Sequence, residues 1–211
     1  MPDGLPRDVF ILPAADDFGF RTSLYVISTG EETILIDVTD AGQLTPLSAL
    51  LEREGLPDPG HVLLTHNHVS YQEAVIAEKW GAKMYLHPDD ARSLPGRARY
   101  RDPMTDRHLA GLGFRFLPTP GHSPGHIMVL WQRHGGVLFT GDALIGISEQ
   151  GDDGLRLRRP PEVTSRDDGA LLRSLRALTP PSARHILPLH GRPLLGLTPG
   201  DFAAVWQRAL A

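Results

Sequence analysis

The sequence predicts a layered α/β domain, and the order of its strand-like and helix-like segments is the basis of that prediction. Apolar or β-branched runs separated by turn residues come first, at Val9–Leu12, Ser23–Ser28 and Thr33–Val38. Strands then alternate with amphipathic segments in two similar halves, which is typical of sheets covered by helices. A chain of 211 residues suffices for one sizeable core and is short for two. We therefore expect a single domain over residues 1–211.

Turn and helix signals separate the strands of the first half. Gly30–Glu32 lies between the second and third runs and predicts a hairpin. Leu44–Glu54 predicts a helix because its leucines share one side, and Gly55 is suited to end it. Three further elements are predicted here: a strand at His61–Leu64, a helix at Gln72–Trp80 and a strand at Lys83–Leu86.

The second half opens with a tract at Pro88–Leu112 that predicts loops. Short apolar or alternating runs then predict strands at Phe114–Leu117, Ile127–Trp131, Val137–Thr140, Leu155–Arg158 and His185–Leu187. Asp167–Leu178 predicts a helix, and a last helix is expected to start near Thr198. Asp201 would lie in its first turn, where a carboxylate suits the helix dipole.

Composition narrows the classes of partner and ligand. The net charge of −4 gives no reason to expect nucleic acid or an anionic membrane, so a small-molecule substrate is the expected partner. The absence of cysteine excludes thiolate ligands, so a metal would be held by His, Asp or Glu. With no signal-like or membrane-length apolar segment, a cytoplasmic location is expected. Phe18 and Phe20 are candidates for contacts in a homodimer.

Several histidines and one aspartate occur in the same kind of place, in a loop that directly follows a short apolar strand. His66 and His68 follow HVLLT, His122 follows RFLPTPG, Asp142 follows VLFTG, and His190 follows HILPL. Loops at the ends of buried strands usually carry the chemistry of α/β folds. If the strands run in compatible directions, the five side chains meet at one edge of the sheets.

The residue types in these loops suit a metal ion. Residues two apart in an extended segment point the same way, so His66 and His68 can chelate one ion. His122 would complete a three-histidine face, which suits Zn²⁺ or Fe²⁺ and leaves a position for water. Asp142 would add a hard anionic ligand. The residues leave the choice between zinc and iron open.

Four segments in this order resemble the metallo-β-lactamase fold superfamily. They are THNH at Thr65–His68, PTPGHSPGH at Pro118–His126, FTGDAL at Phe139–Leu144 and LPLHG at Leu187–Gly191. The earlier segment LYVI…TILID, which contains Asp37, resembles the superfamily's opening strands. The resemblance covers nearly the whole chain and implies an αββα sandwich with a metal site at the edge between two sheets.

The resemblance also implies roles for particular residues. His66, His68 and His122 match the ligands of a first metal, Asp142 matches a bridging ligand, and His190 matches a ligand of a second metal. Two neighbouring positions have alternative interpretations. Asp37 is expected to support the histidine loop or to stabilise a turn, and His126 either orients the loop of His122 or has a turn role.

The chain departs from the superfamily's HxHxDH motif at two positions. Ser70 stands where an aspartate is expected and Tyr71 where a histidine is expected. Both matching residues normally serve the second metal, so the resemblance with this departure implies a site for one ion, zinc or iron. Tyr71 becomes a candidate for donating a hydrogen bond to a developing oxyanion, and His190 for acid–base chemistry.

These residues lead to three functional hypotheses. The first is a mononuclear metal-dependent hydrolase in which metal-activated water attacks a small ester, thioester or lactone. The second is a family member that keeps the fold without catalysis and serves as a binding or regulatory module. The third is an iron enzyme resembling superfamily members that oxidise glutathione persulfide. The Ser70–Tyr71 replacement motivates the second hypothesis.

Overall fold

A computed structural model describes residues 4–13, 22–39, 41–67, 73–95, 99–147, 156–178 and 182–211. The predictions made for His68, Ser70 and Tyr71, and for Phe18 and Phe20, fall outside these ranges. None of the helices in the described ranges is both long enough and apolar enough to cross a membrane.

The first sheet has six strands whose spatial order follows their order in the sequence. They are β1 (Val9–Pro13), β2 (Ser23–Ser28), β3 (Thr33–Ile36), β4 (Pro59–Leu63), β5 (Lys83–Tyr85) and β6 (Tyr100–Arg101). The pairs β1–β2 and β2–β3 are antiparallel, whereas β3 to β6 are parallel to one another. The hairpin predicted at Gly30–Glu32 joins β2 to β3 and is confirmed.

Two helices cover the outer face of this sheet, α1 (Leu44–Glu54) and α2 (Glu73–Trp80). The bounds predicted for α1 are confirmed, and its leucines at 47, 50 and 51 are buried. Gly55 ends it in the left-handed conformation with a φ of 62°, which lets the Gly55 N–H donate back into the last turn. The amphipathic pattern therefore fixes both the length of this helix and the face that it buries.

The second sheet has four strands in the order β12–β9–β8–β7. They are β7 (Phe114–Pro118), β8 (Ile127–Trp131), β9 (Val137–Gly141) and β12 (His185–Pro188), while β10 (Ile145–Gly146) and β11 (Leu157–Arg158) form a separate antiparallel pair. Two helices pack on its outer face, α5 (Asp168–Ala177) and α6 (Pro199–Ala209). As predicted for Asp201, its carboxylate lies in the first turn of α6, where it forms a capping box with Thr198.

The two sheets pack face to face, and the period of two along each strand sorts side chains between the layers. In β2, Tyr25 and Ile27 join the core between the sheets, whereas Leu24 and Val26 face α1 and α2. In β9, Phe139 joins the central core and Leu138 faces α5 and α6. The result is an αββα sandwich, so the predicted fold class is confirmed.

The prediction of a loop-like tract over Pro88–Leu112 is wrong. Besides β6, the tract contains α3 (Pro88–Ala91) and α4 (Arg107–Gly111). The side chains of His87 and Asp106 accept hydrogen bonds from backbone N–H groups in the first turn of these helices. Helices of one turn are fixed by such caps and by packing, and they are too short for apolar periodicity to predict them.

Candidate metal centre

Strand direction brings four of the predicted site residues to one edge of the sandwich. His66 follows β4, His122 follows β7, Asp142 follows β9 and His190 follows β12. In the second sheet β8 is antiparallel to both β7 and β9, and β12 is parallel to β9. The carboxyl ends of β7, β9 and β12 therefore lie at the same edge, which meets the condition on strand direction that the sequence prediction required.

The central group of this edge consists of His66, His122 and Asp142, whose ligand atoms all lie within 4.8 Å of one another. The Nε2 atoms of both histidines lie 3.5 Å from the same Oδ2 of Asp142. The two imidazole rings meet edge to face, with centroids 4.9 Å apart. All three side chains are buried, at 1%, 2% and 9% exposure. Two ring nitrogens and a carboxylate oxygen thus converge on one small space.

Thr65 determines which nitrogen of His66 faces that space. Its backbone N–H and its hydroxyl both donate to the carboxylate of Asp37, at 2.8 and 2.9 Å. With its proton committed to Asp37, the Thr65 oxygen accepts from Nδ1 of His66 at 2.9 Å. Nε2 of His66 is then the unprotonated nitrogen that faces Asp142, which is the form in which an imidazole binds a metal.

Asp37 is completely enclosed by the structure that it supports. It lies directly after β3 and has a φ of 58°, a left-handed conformation that aspartate tolerates better than most residues. Its position explains why the predicted strand Thr33–Val38 ends early, at Ile36. Burial raises the pKa of Asp37 to about 7, although its hydrogen bonds with Thr65 act to lower it.

His190 lies beside Asp142 on the more accessible side of the group. Its Nδ1 donates to Oδ1 of Asp142 at 2.6 Å, and its side chain is 29% exposed. Burial acts to raise the pKa of Asp142, but its hydrogen bond with His190 and its electrostatic interactions with the neighbouring histidines outweigh burial and lower it. Asp142 therefore acts as a carboxylate with one oxygen toward His190 and the other toward the two buried histidines.

His126 supports the group from behind. Its Nε2 accepts the backbone N–H of Asp142 at 3.2 Å, and its Nδ1 is 2.8 Å from the hydroxyl of Thr119. Its ring stacks on that of His66 with centroids 5.2 Å apart. Of the two interpretations considered for His126, the structure favours an orienting one, directed at Asp142 and His66.

Asp90 is a supporting residue that the sequence did not single out. It is fully buried, and its carboxylate accepts hydrogen bonds from the N–H of Asn67, the hydroxyl of Ser123 and the N–H of Gly125. It thereby joins the loop of His66 to the loop of His122. The available signal was HPDD, in which a proline and acidic residues mark a helix start.

Close backbone approach at Gly141 completes the packing of the site. Gly141 has a φ of 51°, and a Cβ there would lie 2.3 Å from Oγ1 of Thr65 and 2.8 Å from Nε2 of His126. Only glycine combines this conformation with so little space. The last residue of β9 therefore sets the distance between Asp142 and the histidine loop of the other sheet.

The donor set fits a borderline divalent ion. Two neutral imidazoles and a carboxylate are common ligands of Zn²⁺ and are also found at Fe²⁺ sites. A tetrahedral site with bonds of about 2.0–2.2 Å separates its ligand atoms by roughly 3.4 Å, which is close to the 3.5 Å between each Nε2 and Oδ2 of Asp142. His66, His122 and Asp142 could therefore hold a metal ion.

The chain is an αββα sandwich in which the loops after the strands carry histidines and an aspartate. This combination of fold and site is the basis for assigning its structural class. The family model of the metallo-beta-lactamase superfamily matches residues 72–190 of this chain, which is more than half of it and includes His122, Asp142 and His190. The chain therefore belongs to the metallo-beta-lactamase superfamily.

The chain is also similar in sequence to particular curated proteins. A hydroxyacylglutathione hydrolase from Xanthomonas oryzae is 31% identical over 138 residues, which cover 64% of this chain and 50% of the relative. The lactamase-like protein notP from an Aspergillus species is 35% identical over 133 residues, covering 59% and 39%. The chain spans about half the length of the curated relatives it matches, or less.

Solved structures extend the likeness to nearly the whole chain. TTHA1623, determined in a di-iron-bound form, has a TM-score of 0.62 at 27% identity and covers 93% of this chain and 98% of its own. A metallo-beta-lactamase from Erythrobacter litoralis has a TM-score of 0.72 at 18% identity and covers 98% and 93%. The second likeness concerns the fold alone.

Proposed function

We propose that this chain is a metal-dependent hydrolase of small esters, thioesters or lactones, with one ion at the edge site. The observation that carries the proposal is the convergence of Nε2 of His66 and Nε2 of His122 on one oxygen of Asp142, each at 3.5 Å. The buried Nε2 of His66, whose ring is oriented by Thr65 and Asp37, has a clear use as a ligand. The sequence adds His68 as a further ligand.

His66, His122 and Asp142 would hold Zn²⁺ or Fe²⁺. When bound, such an ion supplies Lewis acidity, which polarises a carbonyl and lowers the pKa of water to about 7. Thr65 keeps His66 in the required tautomer, and Asp90 holds the two histidine loops together. These residues preorganise the site before substrate arrives.

His190 is the group proposed to move protons. Because its Nδ1–H is donated to Asp142, proton exchange with a substrate takes place at Nε2. Hydrolysis requires a proton for the departing alcohol or thiol, and the partly exposed ring of His190 can deliver it at the mouth of the site. The Asp142 carboxylate stabilises the imidazolium that precedes this transfer. Tyr71 remains the sequence-based candidate for stabilising the oxyanion.

The substrate class rests on the relatives. The hydroxyacylglutathione hydrolases that this chain resembles act, by their name, on a thioester of a thiol peptide. Their similarity supports a thioester as the first substrate to test, with esters and lactones next. The chain spans about half the length of those relatives. The acyl group and the thiol of its own substrate are therefore to be determined by assay with a panel of substrates.

The number of ions is a separate part of the proposal. Ser70 and Tyr71 replace the two residues that would complete a second site, which supports one ion here. The related TTHA1623 binds two irons, and this makes a two-ion site the alternative. The double substitution Ser70→Asp with Tyr71→His is expected to add one metal equivalent relative to wild type. Unchanged metal content in that variant would contradict the one-ion proposal.

A panel of substrates tests the proposed activity. Metal-loaded wild-type protein, His122→Ala and His190→Gln would be assayed with a hydroxyacyl thioester, an aryl ester and a lactone. His122→Ala is expected to bind one equivalent of metal fewer and to lose turnover, whereas His190→Gln keeps its metal and loses about 10²- to 10⁴-fold in kcat. His134→Ala, a surface histidine paired with Asp8, is the control and retains both.

The alternative from a different class is a binding or regulatory module without catalysis. The replacement of the aspartate and histidine of the motif by Ser70 and Tyr71 favours it. Wild-type protein that binds no metal and turns over no member of the panel would support this alternative. Consumption of O₂ with a persulfide by the iron-loaded protein would instead support the dioxygenase chemistry.

A further inference from the structure

A second cluster of metal-ligating side chains lies at the other end of the first sheet. Glu32 comes from the β2–β3 turn, His61 from β4 and His108 from α4, and their ligand atoms lie within 4.8 Å of one another. Nε2 of His61 is 3.2 Å from Oε2 of Glu32, and Nε2 of His108 is 2.9 Å from the same carboxylate. Two nitrogens from separate elements thus converge on one acid.

Local structure fixes each member of the cluster. The turn that carries Glu32 is closed by hydrogen bonds between Thr29 and Glu32, and His61 is a buried residue of β4 with a side chain 4% exposed. The rings of His61 and His108 stack with centroids 5.3 Å apart. The fold thus fixes the backbone of Glu32 and the buried ring of His61, and the half-exposed ring of His108 is stacked against His61.

Asp106 positions both histidines. Its Oδ1 accepts the backbone N–H groups of His108 and Leu109, which caps α4 and orients His108. Its Oδ2 accepts the hydroxyl proton of Tyr85 at 3.0 Å. A carboxyl group that accepts three such hydrogen bonds is held in its ionised, acceptor-only form.

The direction of these hydrogen bonds fixes the proton on His61. Tyr85 has one hydroxyl proton and donates it to Asp106, so its oxygen accepts from Nδ1–H of His61 at 3.2 Å. Nε2 of His61 then directs a lone pair at the carboxylate of Glu32, which is an unfavourable contact between two acceptors. A cation between them, either a proton on Nε2 or a metal ion, relieves this contact.

We propose that Glu32, His61 and His108 form a second divalent-metal site that binds Zn²⁺ or a similar borderline ion. This site is separate from the group of His66, His122 and Asp142, which is named the catalytic edge after its proposed function. A proton on Nε2 would stabilise only the contact between His61 and Glu32, whereas one metal ion would be shared by all three ligands. The chain Asp106–Tyr85–His61 is the kind of outer hydrogen-bond relay that orients metal-binding histidines. The half-exposed ring of His108 leaves a path for the ion and a position for water.

The site is distinct from the catalytic edge. His61 and His66 are five residues apart, roughly 16 Å of extended chain, and Glu32 precedes β3 whereas Asp37 follows it. An ion here would link the β2–β3 turn, β4 and α4, so its expected role is to fix these elements together. Contacts within ligand pairs would open from 2.9–3.2 Å to roughly 3.4 Å on binding, a shift that side-chain rotation supplies.

Zinc content is the principal test. Wild-type protein, His108→Ala and His122→Ala would each be dialysed free of metal, titrated with Zn²⁺ and analysed for bound zinc and thioesterase activity. His108→Ala is expected to bind one equivalent fewer than wild type while keeping its activity, because His108 lies outside the catalytic edge. His134→Ala is the matched control, since it also removes a histidine paired with one carboxylate, and it retains the wild-type zinc content.

Two further variants separate metal binding from general structural effects. Tyr85→Phe removes the acceptor that orients His61 and is expected to weaken zinc binding at this site by about 10- to 100-fold. Lys83 is paired with His61 in the register and places a positive charge near it. Lys83→Gln is therefore expected to tighten zinc binding, a gain that mere disturbance of the fold would not produce.

Specific outcomes overturn the proposal. Equal zinc content in wild type and His108→Ala would do so, as would ring-nitrogen NMR signals from His61 with both nitrogens protonated in the presence of Zn²⁺. Loss of an equivalent in His108→Ala but none in His122→Ala would support this site and contradict the catalytic one. The two proposals therefore stand or fall separately.

Discussion

A threonine side chain, Thr65, determines how His66 presents itself to the site. Its hydroxyl donates to Asp37 and accepts from Nδ1 of His66, so a single proton position is compatible with both contacts. The same logic holds at His61, where the Tyr85 hydroxyl fixes Nδ1 as a donor. In both places a neutral hydroxyl between a carboxylate and an imidazole sets which ring nitrogen faces the ligand atoms around it.

Substitution of Thr65 tests this relay. Thr65→Val keeps the shape and removes the hydroxyl, so His66 loses the partner that fixes its tautomer, and metal affinity at the catalytic edge is expected to fall by about 10- to 100-fold. Competition with a chromophoric chelator measures the affinity. Thr65→Ser restores the hydroxyl and is expected to bind like wild type. Equal affinities for the valine and serine variants would contradict the role assigned to Thr65.

A second residue-scale prediction concerns Asp90. Asp90→Ala leaves three donors around a fully buried position without their carboxylate, so the free energy of unfolding is expected to fall by about 3 kcal/mol or more. Urea denaturation at fixed zinc concentration measures it. The neighbouring Asp89, exposed and paired with Arg92, provides the control, and Asp89→Ala is expected to cost less than about 1 kcal/mol. Similar losses in both variants would argue against the loop-joining role of Asp90.

At the scale of elements, strand ends matter more than strand interiors. β4, β7, β9 and β12 are each followed by a candidate site residue just past the carboxyl end, and the interiors of these strands pack the cores. The precision of the site therefore depends on where each strand stops. β3 stops at a left-handed aspartate and β9 at a left-handed glycine.

Substitution of Gly141 tests whether the end of β9 sets the geometry of the site. Gly141→Ala adds a methyl group 2.3 Å from Oγ1 of Thr65, so the histidine loop must move. The variant is expected to lose metal at the catalytic edge as well as stability. Gly55→Ala has a similar φ of 62° but open space around its Cβ, so it isolates the backbone cost of roughly 1 kcal/mol. Isothermal titration with Zn²⁺ of both variants measures the difference, and normal binding by Gly141→Ala would refute the close-packing account.

β12 carries a stability effect that depends on pH. Burial lowers the pKa of His185 from its ordinary value of 6.5, with Arg184 and His134 acting in the same direction. Below pH 6.5 the unfolded chain gains a proton that the folded chain does not, so stability is present above this pH and is lost as pH falls through the folded pKa. His185→Asn is expected to flatten the slope of unfolding free energy against pH over this window. An unchanged slope in urea titrations at pH 7.5 to 5.5 would contradict the assignment.

At the scale of the whole molecule, four layers place two sheets face to face, with the candidate metal centre at one edge of the sandwich. The sequence predicted a layered α/β fold because Leu44–Glu54 follows the helical period of 3.6, whereas runs such as Ser23–Ser28 are short, apolar and bounded by turn residues. The resemblance to a known superfamily then implied the αββα order of the layers. The one-turn helices within Pro88–Leu112 were not predicted because caps such as Asp106 stabilise them and they are too short to show periodicity. Local pattern thus predicts elements that are long enough to repeat it.

The two candidate metal sites also differ in how far the sequence could predict them. His66, His122, Asp142 and His190 could be grouped from sequence because each follows a strand in a recognisable motif. Glu32, His61 and His108 lie in a turn, a strand interior and a one-turn helix, and no motif links them. They come together because α4 lies beside β7 and buries Leu109 in the core between the sheets. Asp90 likewise acquires its role from two loops that the sequence separates by more than fifty residues.

The central claim is that His66, His122 and Asp142 hold a metal ion at the edge of the sandwich. Anomalous diffraction at the zinc absorption edge, from crystals of the zinc-loaded protein, tests it most directly. The account predicts a strong peak within bonding distance of Nε2 of His66, Nε2 of His122 and Oδ2 of Asp142. An ordered site with no anomalous peak, and with both histidines still 3.5 Å from Asp142, would contradict it.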